Sequence, residues 1–219
     1  MWARPTFQTA PVSFFLIGVS LVIFGLGFIS TEADVWLINN LAQANWLVAA
    51  GEWWRVFSAA LLHGSIGHIF FNMYALYIFG PRLETQVGSP SFAALYVAAA
   101  GAGGAASYVF GPLDQVSVGA SGAIFGLFGA WLFAAFKMRG SSAGRSMFNQ
   151  LGILLAINLA LPLLIPNIDW RAHLGGLVAG IGIAWLWSLF AAGRPNAVAI
   201  RTAIATGVIV LDLAVVLFI

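Results

Sequence analysis

The sequence predicts an all-α membrane protein, a polytopic helical bundle, and three observations carry that prediction. Of 219 residues 61% are hydrophobic and 7% charged, with a mean hydropathy of +0.96; a soluble domain carries about 25% charged residues. Nine Lys and Arg with seven Asp and Glu cannot solvate a globule of this size, so water is the wrong solvent for most of its surface. The chain also divides into long stretches almost free of charge, each near the roughly 20 apolar residues of a spanning helix. Most of the basic residues outside those stretches fall on one side of alternating connectors, as topology in a bilayer favours. A net charge of +2 and scattered basic residues exclude nucleic acid as a partner. With no cysteine there are no disulfides, no thiolate metal sites and no cysteine nucleophile.

Taken in order, the first stretch is Val12–Ser30. It exceeds a normal signal-peptide core, has only Arg4 ahead of it and lacks a small-residue cleavage site, so it reads as a spanning helix. Residues 31–55 follow as an interfacial first loop. Trp36, Trp46, Trp53 and Trp54, with Leu37, Ile38, Leu41 and Leu47, stand beside Asn39, Asn40, Gln43 and Asn45, a mixture suited to the headgroup region. Then come Val56–Gly80, Phe92–Phe110, Val116–Phe136, Phe148–Ile165 and Ala172–Ala192. A seventh stretch, Thr202–Ile219, is interrupted only by Asp212. The expectation is one transmembrane domain over 1–219, with core helices within 12–192 and an additional helix over 202–219.

Arg4, Arg82, Lys137, Arg139, Arg145, Arg194 and Arg201, seven of the nine basic residues, fall on one side of such a bundle. Glu32, Asp34, Glu52, Asp114 and Asp169 fall on the other with Arg55 and Arg171. The positive-inside rule then predicts a cytoplasmic N-terminus. The second, fourth and sixth helices therefore enter from the non-cytoplasmic face and begin at one depth. On or near those first turns stand His63, His68, Ser121 and His173, and ionisable groups inside a bilayer are candidates for function.

Three constellations follow. Gly119-Ala120-Ser121-Gly122, with Gly126 one turn on, serves close helix packing or holds a serine at a helix N-terminus whose free N–H groups face an oxyanion; both readings stand together. Ala172-His173, with Gly176 and Gly180, puts an imidazole on the bare face of the sixth helix. If the glycine faces of the fourth and sixth helices pack together, Ser121 and His173 meet. In the second helix His68 and Asn72 share a face, so both can aim donors at one developing negative charge, or simply bond to a neighbouring helix. His63, five residues before His68, points about 140° away on a regular helix, which precludes joint chelation of one metal.

Together these residues resemble the rhomboid intramembrane serine proteases. The similarity runs from Glu52 to Gly180 by motif: Glu52-x-Trp54-Arg55, His63-x4-His68-x3-Asn72, Gly119-x-Ser121-Gly122 and Ala172-His173-x2-Gly176-x3-Gly180. The resemblance implies a rhomboid-like six-helix core plus a C-terminal seventh transmembrane helix. It implies Ser121 as nucleophile and His173 as general base, with His68, Asn72 and backbone N–H groups at Ser121 and Ala120 as the oxyanion hole. His63 becomes a structural residue, and Glu52 and Arg55 order the first loop. Phe125 stands where many members carry a tyrosine stacked on the catalytic histidine; phenylalanine keeps that surface. No cofactor and no metal are implied.

The expected function is therefore intramembrane endopeptidase action by a Ser–His dyad near the outer face. The expected partners are transmembrane protein substrates and the lipid bilayer. Asp169 lies one turn before His173 at the helix mouth, and ring orientation is expected from Phe125 rather than from a buried carboxylate. Lateral substrate entry is expected beside the fifth helix, which carries Pro162 and Pro166. The alternative is a catalytically inactive rhomboid-like protein that binds client helices. A zinc protease would need His-Glu-x-x-His, which is absent, and an aspartyl type two intramembrane carboxylates, whereas only Asp212 is available. Short loops and the lack of a transit segment point to a prokaryotic plasma membrane, the site facing the periplasm or exterior.

Overall fold

The computed structural model describes residues 5–164 and 168–219. Arg4, counted above for orientation, and Ile165 and Pro166 at the end of the fifth stretch lie outside the described residues. The helices are α1 (Pro11–Ile29), α2 (Thr31–Leu41), α3 (Asn45–Ala49), α4 (Arg55–Ser58), α5 (Ile66–Val87), α6 (Ser89–Phe110), α7 (Ser121–Lys137), α8 (Ser142–Ala160), α9 (Trp170–Phe190) and α10 (Ala197–Phe218). Each of the seven apolar stretches contains the body of one long helix: α1, α5, α6, α7, α8, α9 and α10. By length and composition α1, α6, α8, α9 and α10 suffice to cross a bilayer, α5 joins them with the bent segment before it, and α7 is shorter at 17 residues.

Local chemistry sets the helix starts. Ser30, Ser65 and Ser141 accept hydrogen bonds from the first-turn N–H groups of Ala33, His68 and Gly144, and Pro11 opens α1, where its missing N–H costs nothing. The expected second helix from Val56 is corrected here. Residues 55–61 form α4 and a 3₁₀ turn, and α5 begins only at Ile66 after a bend of 95°. The Gly64-Ser65 pair explains the break: Ser65 adopts an extended backbone and caps a new helix. At the far end α5 runs on to Val87, so Arg82, expected in a connector, is helical, and Glu84 lies on the same helix.

Glu84 also accounts for the pairing of α1 with α5. Its buried carboxylate accepts from Val12 N (3.0 Å), Ser13 N (2.8 Å), Ser13 Oγ (2.7 Å) and Ser89 Oγ (2.6 Å). One charge thereby caps the start of α1 and joins it to the α5–α6 turn. At the same end Gly88, at φ +90°, faces Val198 of α10. The starts of α1, α6 and α10 thus share one end of the bundle. The starts of α5, α7 and α9 share the other, where β1 (Gln43–Ala44) pairs antiparallel with β2 (Val116–Ser117).

At the centre stands α6: 67% of its most apolar stretch is buried, against 6% for α8 and its following turn. Its run Ala98-Ala99-Ala100-Gly101-Ala102-Gly103-Gly104 has no bulk on any face, so backbones close in from all sides. The Gly103 Cα lies against Gly122 of α7 and the Ala172 carbonyl of α9, and the Gly104 Cα lies against Val56. The glycine seam expected between two helices therefore has three members. Asp212 is buried on α10 against Gly101 of α6 and Phe57, and its Oδ2 has no hydrogen-bond partner among the described residues. α8 buries only Gly144 and Leu151 along its length.

Candidate active site

The site is assembled by close approach of backbones. On α9, Gly176 and Gly180 lie so near the Gly122 and Gly126 carbonyls of α7 that a Cβ on either would overlap those oxygens. This contact sets the register of the two helices, and it brings their first turns together. His173 Nε2 stands 2.9 Å from Ser121 Oγ. The imidazole stacks on Phe125, with centroids 4.2 Å apart and planes at 10°. Its Nδ1 is buried without a hydrogen-bond partner among the described residues. No carboxylate therefore orients the ring from behind; packing on Phe125 does.

Ser121 opens α7, Ala120 is its fully buried N-cap residue, and no side chain among the described residues caps that end. The first-turn N–H groups are thus left facing the serine. The preceding turn is held by a hydrogen bond from Gly119 N to Ala59 O (2.9 Å). Gly119 has φ +128°, and a Cβ there would lie 2.6 Å from His68 Nε2 and 3.8 Å from Asn72 Nδ2. His68 and Asn72, one turn apart on α5, hence both face the backbone just ahead of Ser121. His68 Nδ1 accepts from Gly64 N (3.4 Å), which puts the proton of a neutral ring on Nε2, the atom nearer the serine turn. Gly64, Ser65, Ile66 and Gly67 are exposed, so this mouth of α5 opens outward.

His63 departs from the helical-wheel expectation because it precedes α5 rather than lying within it. Its ring meets that of His68 edge-on, at 5.2 Å and 65°, and neither of its nitrogens has a hydrogen-bond partner among the described residues. It packs behind His68. No cluster of three metal-binding side chains occurs among the described residues. In the first loop Glu52 pairs with buried Arg55 at 2.6 Å, and Arg55 donates to the carbonyls of Ala42 (2.7 Å) and Asn39 (2.6 Å). Trp54 Nε1 donates to Asn40 O (3.4 Å) while its ring stays half exposed. These bonds fold the loop beside α4.

Sequence reasoning placed Ser121, His173, His68, Asn72 and Phe125 together, and the structure brings all five together. It missed the partners of Asp169, whose carboxylate accepts from the Ser107 and Ser117 hydroxyls as well as from the first-turn N–H groups of Arg171 and Ala172. An Asp ahead of a helix start was the available signal. The helix over Phe92–Phe110 was expected, but its central place in the packing was missed; its composition of small residues was the clue.

The chain is similar to known proteins over most of its length. A family model for the Rhomboid domain matches residues 50–190. Rhomboid protease GluP of Bacillus subtilis (strain 168) is 35% identical over 212 residues, 97% of this chain and 40% of that protein. Putative rhomboid protease YdcA of the same organism is 35% identical over 176 residues, 80% of this chain and 88% of the relative. RHOMBOID-like protein 6, mitochondrial, of Arabidopsis thaliana is 34% identical over 157 residues, 68% of this chain and 49% of its own length. The chain thus spans less than half of GluP and of the plant protein, and most of YdcA. With more than half of its length matched by the family model, the chain belongs to the rhomboid family of intramembrane serine proteases, as an integral, multi-pass membrane protein.

Proposed function

We propose that the chain is an endopeptidase that cleaves transmembrane segments through a Ser121–His173 dyad. The observation that carries this reading is the 2.9 Å contact between His173 Nε2 and Ser121 Oγ at two helix mouths. A serine hydroxyl is a poor nucleophile until a base takes its proton. His173 Nε2 accepts that proton as Oγ bonds to the scissile carbonyl carbon. His68 Nε2, Asn72 Nδ2 and the N–H groups at Ala120 and Ser121 hold the oxyanion. The C–N bond then breaks as His173 returns the proton to the leaving amine, and water, activated by the same imidazole, releases the acyl group from Ser121. Each oxyanion donor contributes about 3 kcal/mol to the transition state. No third catalytic side chain is needed, since Phe125 holds the ring.

Substrates are membrane proteins whose helices unwind readily near the outer face, because a carbonyl in a regular helix is shielded by its own hydrogen bond. They enter sideways between α5 and α8, a reading supported by the sparse burial of α8. The distribution of basic residues supports a cytoplasmic N-terminus and a site facing the periplasm or exterior of a prokaryotic plasma membrane. Residues 1–219 act as one domain on this reading, with α10 added to a six-helix core. The test is labelling of detergent-solubilised protein by a fluorophosphonate probe, together with cleavage of a transmembrane reporter. Wild type labels and cleaves; Ser121→Ala does neither, and His173→Ala loses nearly all of both. Folded wild type that neither labels nor cleaves would instead support a client-binding relative without catalysis.

A further inference from the structure

Asp169 ends the segment that leads into α9, and its groups reach in three directions. Oδ1 accepts from Arg171 N (3.2 Å) and Ala172 N (3.3 Å), capping the helix. Oδ2 accepts from Ser117 Oγ (2.6 Å) on β2 and from Ser107 Oγ on α6. Its main-chain oxygen accepts from His173 N (3.3 Å). Ser117 precedes Ser121 by four residues on the strand that delivers the nucleophile, and Ser107 is fully buried on the central helix. One carboxylate therefore touches the strand that sets Ser121 and the first turn that sets His173. The glycine seam fixes α7 and α9 along their length and reaches Gly122 and the Ala172 carbonyl beside the dyad, but it consists of backbone packing, and the carboxylate is the polar tie between β2 and the first turn of α9.

We infer that Asp169 is a positioning residue of the reaction: by bonding Ser117 and the N-terminal turn of α9 together it fixes the Ser121–His173 distance. This rests on the dyad reading above. Residual misplacement of a base by about 1 Å can cost about 100-fold in rate, so loss of the tie acts on turnover rather than on binding. Ser117 also receives a hydrogen bond from Gln115 Nε2 (3.3 Å), and β2 pairs with Gln43 of the first loop. The strand therefore keeps its place when the carboxylate is removed, and α9 is the part that moves.

Wild type, Ser121→Ala, Asp169→Ala, Asp169→Asn and Ser117→Ala are compared for fluorophosphonate labelling rate, kcat and KM on a reporter in detergent, and thermal midpoint. Assays run well below each variant's own midpoint. Asp169→Ala is expected to lower kcat and labelling rate together by about 30-fold, and Ser117→Ala by about 5-fold, with KM within about twofold. Asp169→Asn should return to within about threefold of wild type, because asparagine caps a helix as well as aspartate and its amide still pairs with serine oxygen. Folded Asp169→Ala and Ser117→Ala with wild-type kcat overturn the inference, however far their midpoints fall. So does Asp169→Asn as impaired as Asp169→Ala, which would assign the effect to charge. Should Asp169→Ala not fold, Ser117→Ala, which keeps the cap, decides by its kcat alone. Absence of Ser121-dependent labelling in wild type refutes the dyad itself and is distinct from all of these.

Discussion

At Gly119 the backbone stands at φ +128°, a conformation costly for any residue with a Cβ, and that Cβ would press on His68 Nε2 and Cε1 at 2.6 Å. The same glycine positions the N–H groups that follow it and leaves room for the imidazole that faces them. Gly119→Ala is therefore expected to displace His68 and the serine turn together, lowering kcat by about 100-fold or more, the loss associated with one oxyanion donor. Cleavage of a transmembrane reporter in detergent checks it, with a retained thermal midpoint showing that the bundle persists. A variant with wild-type kcat would mean that His68 is not needed at the turn. The residue types at this site were legible because the chemistry demands them: a serine at a helix start, an imidazole at another, and two donors four residues apart. The location of His63 was not legible from a helical wheel, since the wheel assumed a helix that the Gly64-Ser65 pair interrupts.

Among the glycines of the long helices, some press on a neighbour's backbone and others meet nothing, and substitution should separate these two groups. A Cβ at Gly176 or Gly180 would overlap a carbonyl of α7, whereas Gly182 on the same helix has nothing within 4 Å. Gly176→Ala and Gly180→Ala must push α9 off α7. Each is expected to destabilise by about 1–3 kcal/mol and to lose activity as His173 leaves Ser121. Gly182→Ala is expected to stabilise by up to about 1 kcal/mol through helix propensity alone. Thermal unfolding in detergent measures all three, and equal midpoints would refute the seam as the organising contact. The α7–α9 part of this seam was readable because each helix carries glycine at four-residue spacing. The contribution of α6 was not, because Gly101, Gly103 and Gly104 share no such spacing and act through a helix thin on every side. Glu84 was likewise hidden: nothing in the pattern around it marks a structural role, and only the proximity of the α1 start reveals a carboxylate that bonds two other chain segments.

For the molecule as a whole, the packing is uneven in a way that bears on the proposed route of a peptide to Ser121 and His173. α6, α7 and α9 form a centre of backbone contacts that cannot part without breaking the site, while α8 holds to the bundle mainly through the cluster of Leu151 with Phe125, Phe128 and Leu177. Phe79 of α5 packs on that same cluster, in an edge-on contact with Phe128 at 5.5 Å. A helix entering from the bilayer needs a gap between two spanning elements, and opening α5 from α8 costs only side-chain contacts, with no glycine seam to break. Phe125 belongs to this cluster and also stacks on His173, so the same group of side chains lines the proposed entrance and supports the base. The chain has no cysteine, so a pair of cysteines introduced on the outer turns of α5 and α8 provides the only thiols for a crosslinker. Joining them is expected to reduce cleavage of a membrane-embedded substrate by about tenfold or more, as expected when a gating motion limits turnover. Labelling by a small fluorophosphonate, which needs no gap between α5 and α8 if it enters by the exposed residues Gly64–Gly67, should remain within about twofold of the uncrosslinked protein. Reduction of a cleavable crosslinker should restore cleavage. Unchanged cleavage after complete crosslinking would place the entrance elsewhere, and loss of labelling together with cleavage would show that the bridge had distorted the dyad instead of closing a door.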